Sequence, residues 1–166
     1  MNKVIVIING SGGVGKDTFV NFCKLLVTVN NISSVDKIKE AAKILGWNGS
    51  KDECDRKFLS DLKLLSSQYN NSPYNYIKIC IENFRKHSKS NIMFIHVREP
   101  EEIEKLKNDF GCITLLITNI NKEPILSNVA DAYVDNYKYD YIIHNDSDLK
   151  SLLDSSIHFV RDIIKD

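Results

Sequence analysis

The chain has no excess of either charge, no paired cysteine motif and no long apolar run, and each absence removes a class of function. Lys plus Arg and Asp plus Glu stand at 22 each in 166 residues, which argues against a general nucleic-acid binder or a basic membrane-surface protein. Any positive field has to be local, inside a cleft. The four cysteines, Cys23, Cys54, Cys80 and Cys112, lie far apart with no histidine at metal spacing, so neither a zinc knuckle nor a redox pair is suggested, and buried, reduced thiols are expected. Met1-Asn2-Lys3 leads into only five apolar residues before Asn9. That is too short for a signal-peptide core, and no later run approaches a membrane span. The expectation is a cytoplasmic protein without nucleic-acid or membrane partners. With 43% hydrophobic residues and no repeat, low-complexity tract or linker, residues 1–166 are expected to close one domain, as a monomer or homodimer.

The hydrophobic pattern alternates between two periods. Lys3 to Ile8 is a β-branched run suited to a strand covered on both faces. Further strands are predicted at 32–35, 92–97, 112–118 and 139–144. Between them apolar residues recur at helical spacing: Phe19, Phe22, Cys23, Leu26 and Val27; Ile38, Ala41, Ala42 and Leu45; Cys54, Phe58, Leu62 and Leu65; Ile77, Cys80, Ile81 and Phe84; Ile103, Leu106 and Phe110; and Leu149 to Ile164. Ser72-Pro73, Pro100 before Glu101 and Glu102, and Asp146 or Asp148 mark helix starts. Alternating strands and helices predict an α/β fold, a three-layer sandwich with about five parallel strands and helices on both faces. The helical block at about 36–89 breaks the rhythm and is expected to be an inserted acceptor-binding arm.

The most specific signal lies between the first strand and the first helix. Gly10-Ser11-Gly12-Gly13-Val14-Gly15-Lys16 satisfies G-x-x-x-x-G-K, in which glycines let consecutive backbone N–H groups converge on phosphate oxygens. The following helix adds its positive end. Lys16 is the cation expected at the β- and γ-phosphates and the first catalytic candidate. Asp17 stands where Ser or Thr usually ligates Mg²⁺, so its carboxylate is the candidate metal ligand, and Thr18 is expected near the α-phosphate. A P-loop NTPase fold with ATP and Mg²⁺ as cofactors follows.

The form G-x-x-x-x-G-K-D-T resembles the nucleoside monophosphate kinase-like group that includes phage deoxynucleoside monophosphate kinases and animal-type phosphomevalonate kinases. Lys39-Glu40 with Ala42 is similar to that group's acceptor-side helix, and Arg56-Lys57-Phe58-Leu59 to a segment that supplies an arginine to the acceptor phosphate. Val97-Arg98 is similar to a second such arginine. Asp131, Asp135-Asn136-Tyr137 and Asp140 to Asn145 resemble the closing segment, which borders the nucleotide base. The resemblance implies a phosphotransferase acting on a small phosphorylated acceptor, a nucleoside or deoxynucleoside monophosphate first and phosphomevalonate as the alternative. It implies Lys39, Arg56 and Arg98 on the acceptor, Arg98 also in catalysis, and Asn145 on the nucleotide. The chain departs from the pattern at His96, where a carboxylate is common, in a lid at about 118–128 whose only cation is Lys122, and at Asp131 in place of Glu. The first two motivate a rival reading, a nucleotide-binding sensor or regulatory protein without catalysis.

The other chemistry-bearing residues have structural alternatives. Arg98 competes with an ion pair to Glu101 or Glu102, and Arg56 with a solvated charged face among Asp52, Glu53, Asp55 and Lys57. His96 reads better as structural or metal-adjacent than as a base, because transfer to a phosphate needs none. Tyr69, Tyr74 and Tyr76 suit packing more than an acceptor pocket. Asn121-Lys122-Glu123-Pro124 has proline where a guanine-reading N-K-x-D needs Asp, which disfavours a GTPase.

Overall fold

A computed structural model describes residues 3–50, 52–122 and 137–164. Five strands, β1 (Val4–Asn9), β2 (Val29–Ser33), β3 (Ile92–His96), β4 (Ile113–Thr118) and β5 (Tyr141–His144), alternate with α1 (Lys16–Lys24), α2 (Asp36–Ile44), α3 (Glu53–Asn70), α4 (Ser72–His87), α5 (Pro100–Phe110) and α6 (Leu149–Ile163). The sheet has the order β2-β3-β1-β4-β5, and every pairing is parallel.

The β-branched run of β1 places it at the centre, since only a strand covered on both faces gains from an unbroken apolar sequence. Its side chains alternate between two cores. Ile5 and Ile7 join Ile77, Ile81 and Phe84 of α4 and Ile103 and Leu106 of α5. Val6 and Ile8 join Phe19, Val20 and Cys23 of α1 and Leu152, Phe159 and Val160 of α6. On the second face Phe159 stacks edge-on against Phe19 at 5.6 Å and Tyr141 at 5.1 Å, aromatic geometry that adds to the area buried. The expected α/β sandwich is therefore present, with helices on both faces.

Three expectations change. The second strand spans 29–33 rather than 32–35: Val29, Asn30 and Asn31 pair in register with Ile92, Met93 and Phe94, so cross-strand pairing overrides the low strand preference of asparagine. Val35 instead caps α2. The first helix stops at Lys24, and the N–H groups of Leu26 and Val27 both turn back to Cys23 O. Of the four thiols only Cys23 and Cys112 are buried; Cys54 is exposed and Cys80 half-buried.

Within the 36–89 block the helices differ. α4 contributes Pro73, Ile77, Ile81 and Phe84 to the interior, whereas α3 has no fully buried residue. α3 starts on Asp52, whose carboxylate accepts from Asp55 N at 2.9 Å, and α6 on Asp148, which accepts from Ser151 N; both are side-chain N-caps.

Candidate active site

The site is built at the carboxyl ends of β1, β3 and β2, the crevice where open α/β sheets receive ligands. β1 ends in Asn9, almost completely buried. Its Oδ1 accepts from Gly10 N at 2.7 Å, and its Nδ2 donates to Arg98 O at 3.1 Å and Tyr139 Oη at 2.7 Å. A buried amide with both ends partnered is a rigid joint. One side chain thereby ties the first residue of the phosphate loop to the backbone of Arg98. Sequence reasoning passed over Asn9; the signal was a lone amide ending a β-branched run.

The loop that follows turns through positive φ at Gly10, Gly13 and Gly15. At Gly10 the requirement is double: φ is +143°, and a Cβ there would lie 2.3 Å from Ile117 O and 2.9 Å from Val14 Cγ2. Val14 is buried and anchors the loop to the core. Gly15 caps α1 without a side-chain acceptor, so the helix begins with donors that no side chain of its own cap satisfies. The Lys16 ammonium folds over this loop onto Gly10 O at 2.5 Å and Ser11 O at 2.8 Å. A cation held on the carbonyls beside a run of glycine amides is what a phosphate-binding cradle requires.

Asp17 is exposed in the first turn of α1, with half-buried Thr18 after it. Across from it, His96 ends β3 between Ile8 and Ser33 in register, and its Nε2 lies 2.9 Å from Asn31 Oδ1. Burial pulls the His96 pKa down to about 4, against the raising influence of Asp17; Lys16 lowers it further, Asp36 raises it and Lys39 lowers it. The imidazole is thus neutral at pH 7, donating to Asn31 through Nε2 and keeping an acceptor lone pair on Nδ1. Lys16, Asp17, Asp36, Lys39 and His96 share one electrostatic neighbourhood. Asp36 is itself held by Ser33 N, which donates to its Oδ2 at 2.7 Å.

Arg98 is half-buried in the segment between β3 and α5. Glu99 and Glu102, beside it, bond Lys63 of α3 at 2.6 and 3.0 Å. Lys63 comes seven residues after Arg56, two turns along one face of α3. The pair brings α3 to the Arg98 segment at Lys63, on the helix face that also carries Arg56 two turns earlier. Lys63 was not singled out from sequence, although its i+7 relation to Arg56 was the available sign. Burial raises both glutamates, but the Lys63 ammonium outweighs it at Glu99, whose pKa is lowered, while Glu102 stays raised.

Asn145, expected at the nucleotide base, has its Nδ2 on Val14 O at 2.9 Å. Tyr74 and Tyr76 separate: Tyr74 bonds Asp109 and lies near Phe110, and Tyr76 lies by Lys37 and influences Cys80. Tyr69 is exposed. The 123–128 part of the expected lid, with Asp131, Asp135 and Asn136, lies outside the described residues.

The residues suit the groups a phosphate loop implies. The Lys16 ammonium already lies on loop carbonyls that a triphosphate would displace it from. Mg²⁺ is commonly held by one or two carboxylates together with phosphate oxygens and water, and exposed Asp17 beside Lys16 is the carboxylate that could reach it.

No protein-family model matches the chain, and no curated protein sequence matches it. Solved structures do. TT1252 from Thermus thermophilus is 14% identical with a TM-score of 0.61, covering 100% of both chains. A sugar kinase from Janibacter sp. HTCC2649 is 10% identical with a TM-score of 0.58, over 99% of this chain and 96% of its own. Thymidylate kinase from Ehrlichia chaffeensis is 14% identical with a TM-score of 0.51, over 97% and 100%. At such identities the likeness shows the fold alone, a parallel α/β sandwich shared over nearly the whole of each chain.

Proposed function

We propose that the chain is a small-molecule phosphotransferase that moves the γ-phosphoryl group of ATP onto a phosphorylated acceptor, with nucleoside or deoxynucleoside monophosphates as the first substrate class. The observation that carries this reading is the joint at Asn9, which ties a glycine-rich phosphate cradle to the backbone of Arg98. Donor and acceptor sites are thereby held in one frame, and positioning is most of what phosphoryl transfer asks of a protein.

Lys16 would leave Gly10 O and Ser11 O for the β- and γ-phosphates, offsetting charge that gathers on the bridging oxygen as its bond to the γ-phosphorus breaks. Asp17 would hold Mg²⁺, with Thr18 toward the α-phosphate. Bound Mg²⁺ supplies charge neutralisation at the phosphates. Arg98, Arg56 and Lys39 would hold the acceptor phosphate, whose oxygen attacks the γ-phosphorus in line as ADP departs. That oxygen is already ionised at pH 7, so no base is required, in keeping with a neutral His96 packed on Asn31.

The test is coupled ADP release with ATP and Mg²⁺ over nucleoside monophosphates, deoxynucleoside monophosphates and phosphomevalonate. One acceptor is expected to stimulate release strongly. Lys16→Ala should abolish it, and Arg98→Ala should raise the acceptor KM while leaving ATP binding intact. ATP binding with no stimulation by any acceptor would instead favour the sensor reading that His96 motivates.

A further inference from the structure

Asn145 follows β5, and its side chain lies against the phosphate loop. Its Nδ2 donates to Val14 O at 2.9 Å, while its backbone N–H donates to Thr118 O at 2.8 Å. The anchorage is broad: Thr118 Oγ1 meets His144 Nδ1 at 2.8 Å, and Asp146 accepts from Ile120 N at 2.7 Å and, through its carbonyl, from Asn121 Nδ2 at 3.2 Å. Residues 144–146 are thus cross-tied to the end of β4. The other side of the contact is equally specific, since a Cβ on Gly15 would come 2.5 Å from Asn145 Nδ2. The φ of +103° requires glycine at position 15, and a Cβ there would push the Asn145 amide off Val14 O.

The peptide joining Val14 to Gly15 is planar and trans, as no cis bond occurs among the described residues, so its C=O and N–H point in opposite directions. A carbonyl held toward β5 sends the Gly15 N–H the other way. We infer that Asn145 is a positioning residue for the phosphate loop: by holding Val14 O it aims the Gly15 amide at the phosphates of a bound nucleoside triphosphate. This rests on the nucleotide reading above and deepens it. Without the donor, the peptide is free to rotate and present a carbonyl oxygen to phosphate, where like partial charges repel. A residue contacting the base would affect only ligands that have one; a residue orienting the loop affects every polyphosphate.

The experiment measures equilibrium binding of Mg-ATP and of inorganic tripolyphosphate to the whole chain by titration calorimetry, for wild type, Asn145→Leu and Asn145→Asp, with melting temperatures alongside. Asn145→Leu, which keeps the shape and loses the donor, is expected to weaken both ligands to the same extent, about tenfold. Asn145→Asp is expected to weaken both further at neutral pH, and its deficit relative to wild type to shrink toward about pH 5 as the carboxyl takes up a proton and regains an O–H donor. It also carries the test should Asn145→Leu fail to fold. Weakened ATP with unchanged tripolyphosphate would overturn the inference in favour of a base contact, and unchanged binding of both would overturn it outright. Wild type binding neither ligand would sink the nucleotide reading itself, a separate and recognisable failure.

Discussion

Replacing Lys63 by methionine tests whether the face of α3 that carries Arg56 is latched to the Arg98 segment. The Lys63 side chain is 14% exposed and its partners Glu99 and Glu102 are 41% and 16% exposed. Removing one partner of a fully buried pair costs about 3–5 kcal/mol. Here Glu99 is wet enough to reduce that to about 2 kcal/mol. For a chain of this length that corresponds to a fall in Tm of about 4–8 °C. The pH dependence is the sharper signature. In the variant both glutamates lose their cation, so their folded pKa values rise above the unfolded one. The stability cost is then fully present above the raised folded pKa and is relieved as pH falls toward the unfolded value near 4.3. Differential scanning calorimetry of wild type and Lys63→Met should show a gap that is wide at about pH 8 and narrows by about pH 5. A gap independent of pH, or no gap at about pH 8, would refute the latch.

Other residues give equally direct tests. Gly10→Ala places a methyl group 2.3 Å from Ile117 O at a positive φ; it should cost about 2–3 kcal/mol in thermal melts and remove the stabilisation conferred by ATP. Asn9→Leu strips the acceptor from Gly10 N and the donor from Arg98 O inside the core. It should cost about 3 kcal/mol by denaturant titration and impair acceptor use more than ATP binding, an ordering that equal impairment would contradict. His96 has a folded pKa of about 4, below the unfolded value. Stability should therefore decline as pH drops through the unfolded pKa of about 6.5 and level off below the folded one, by about 2 kcal/mol after discounting for partial exposure. His96→Asn should flatten that part of the profile, and an NMR titration should find the wild-type ring still neutral at about pH 6.

Much of the fold was legible because its signals are local. The unbroken β-branched run of β1 could only be a strand covered on two faces, and the proline and aspartate at the starts of α5 and α6 occur where helices begin. The start of β2 was not legible, since Asn30 and Asn31 are poor strand formers and are drawn into the sheet by pairing with β3 and by side-chain bonds to Ser90 and His96. α3 and α4 share an apolar period, yet only α4 is buried against the sheet. Periodicity states which face of a helix is apolar and says nothing of how much protein lies against it.

The same division holds at the site. By itself the sequence determined the phosphate loop, because seven consecutive residues from Gly10 to Lys16 carry the glycines and the lysine that a local nest of amides needs. Only the tertiary structure decided what holds that loop in place, with Asn9 joining it to the segment 89 positions later and Asn145 reaching Val14 from 131 positions away, and what ties α3 to the start of α5, where Lys63 meets Glu99 and Glu102. A hydrogen bond or ion pair between distant positions leaves no mark in the chain order. It exists only once the sheet has brought the carboxyl ends of its strands together and excluded the water that would otherwise satisfy each group alone.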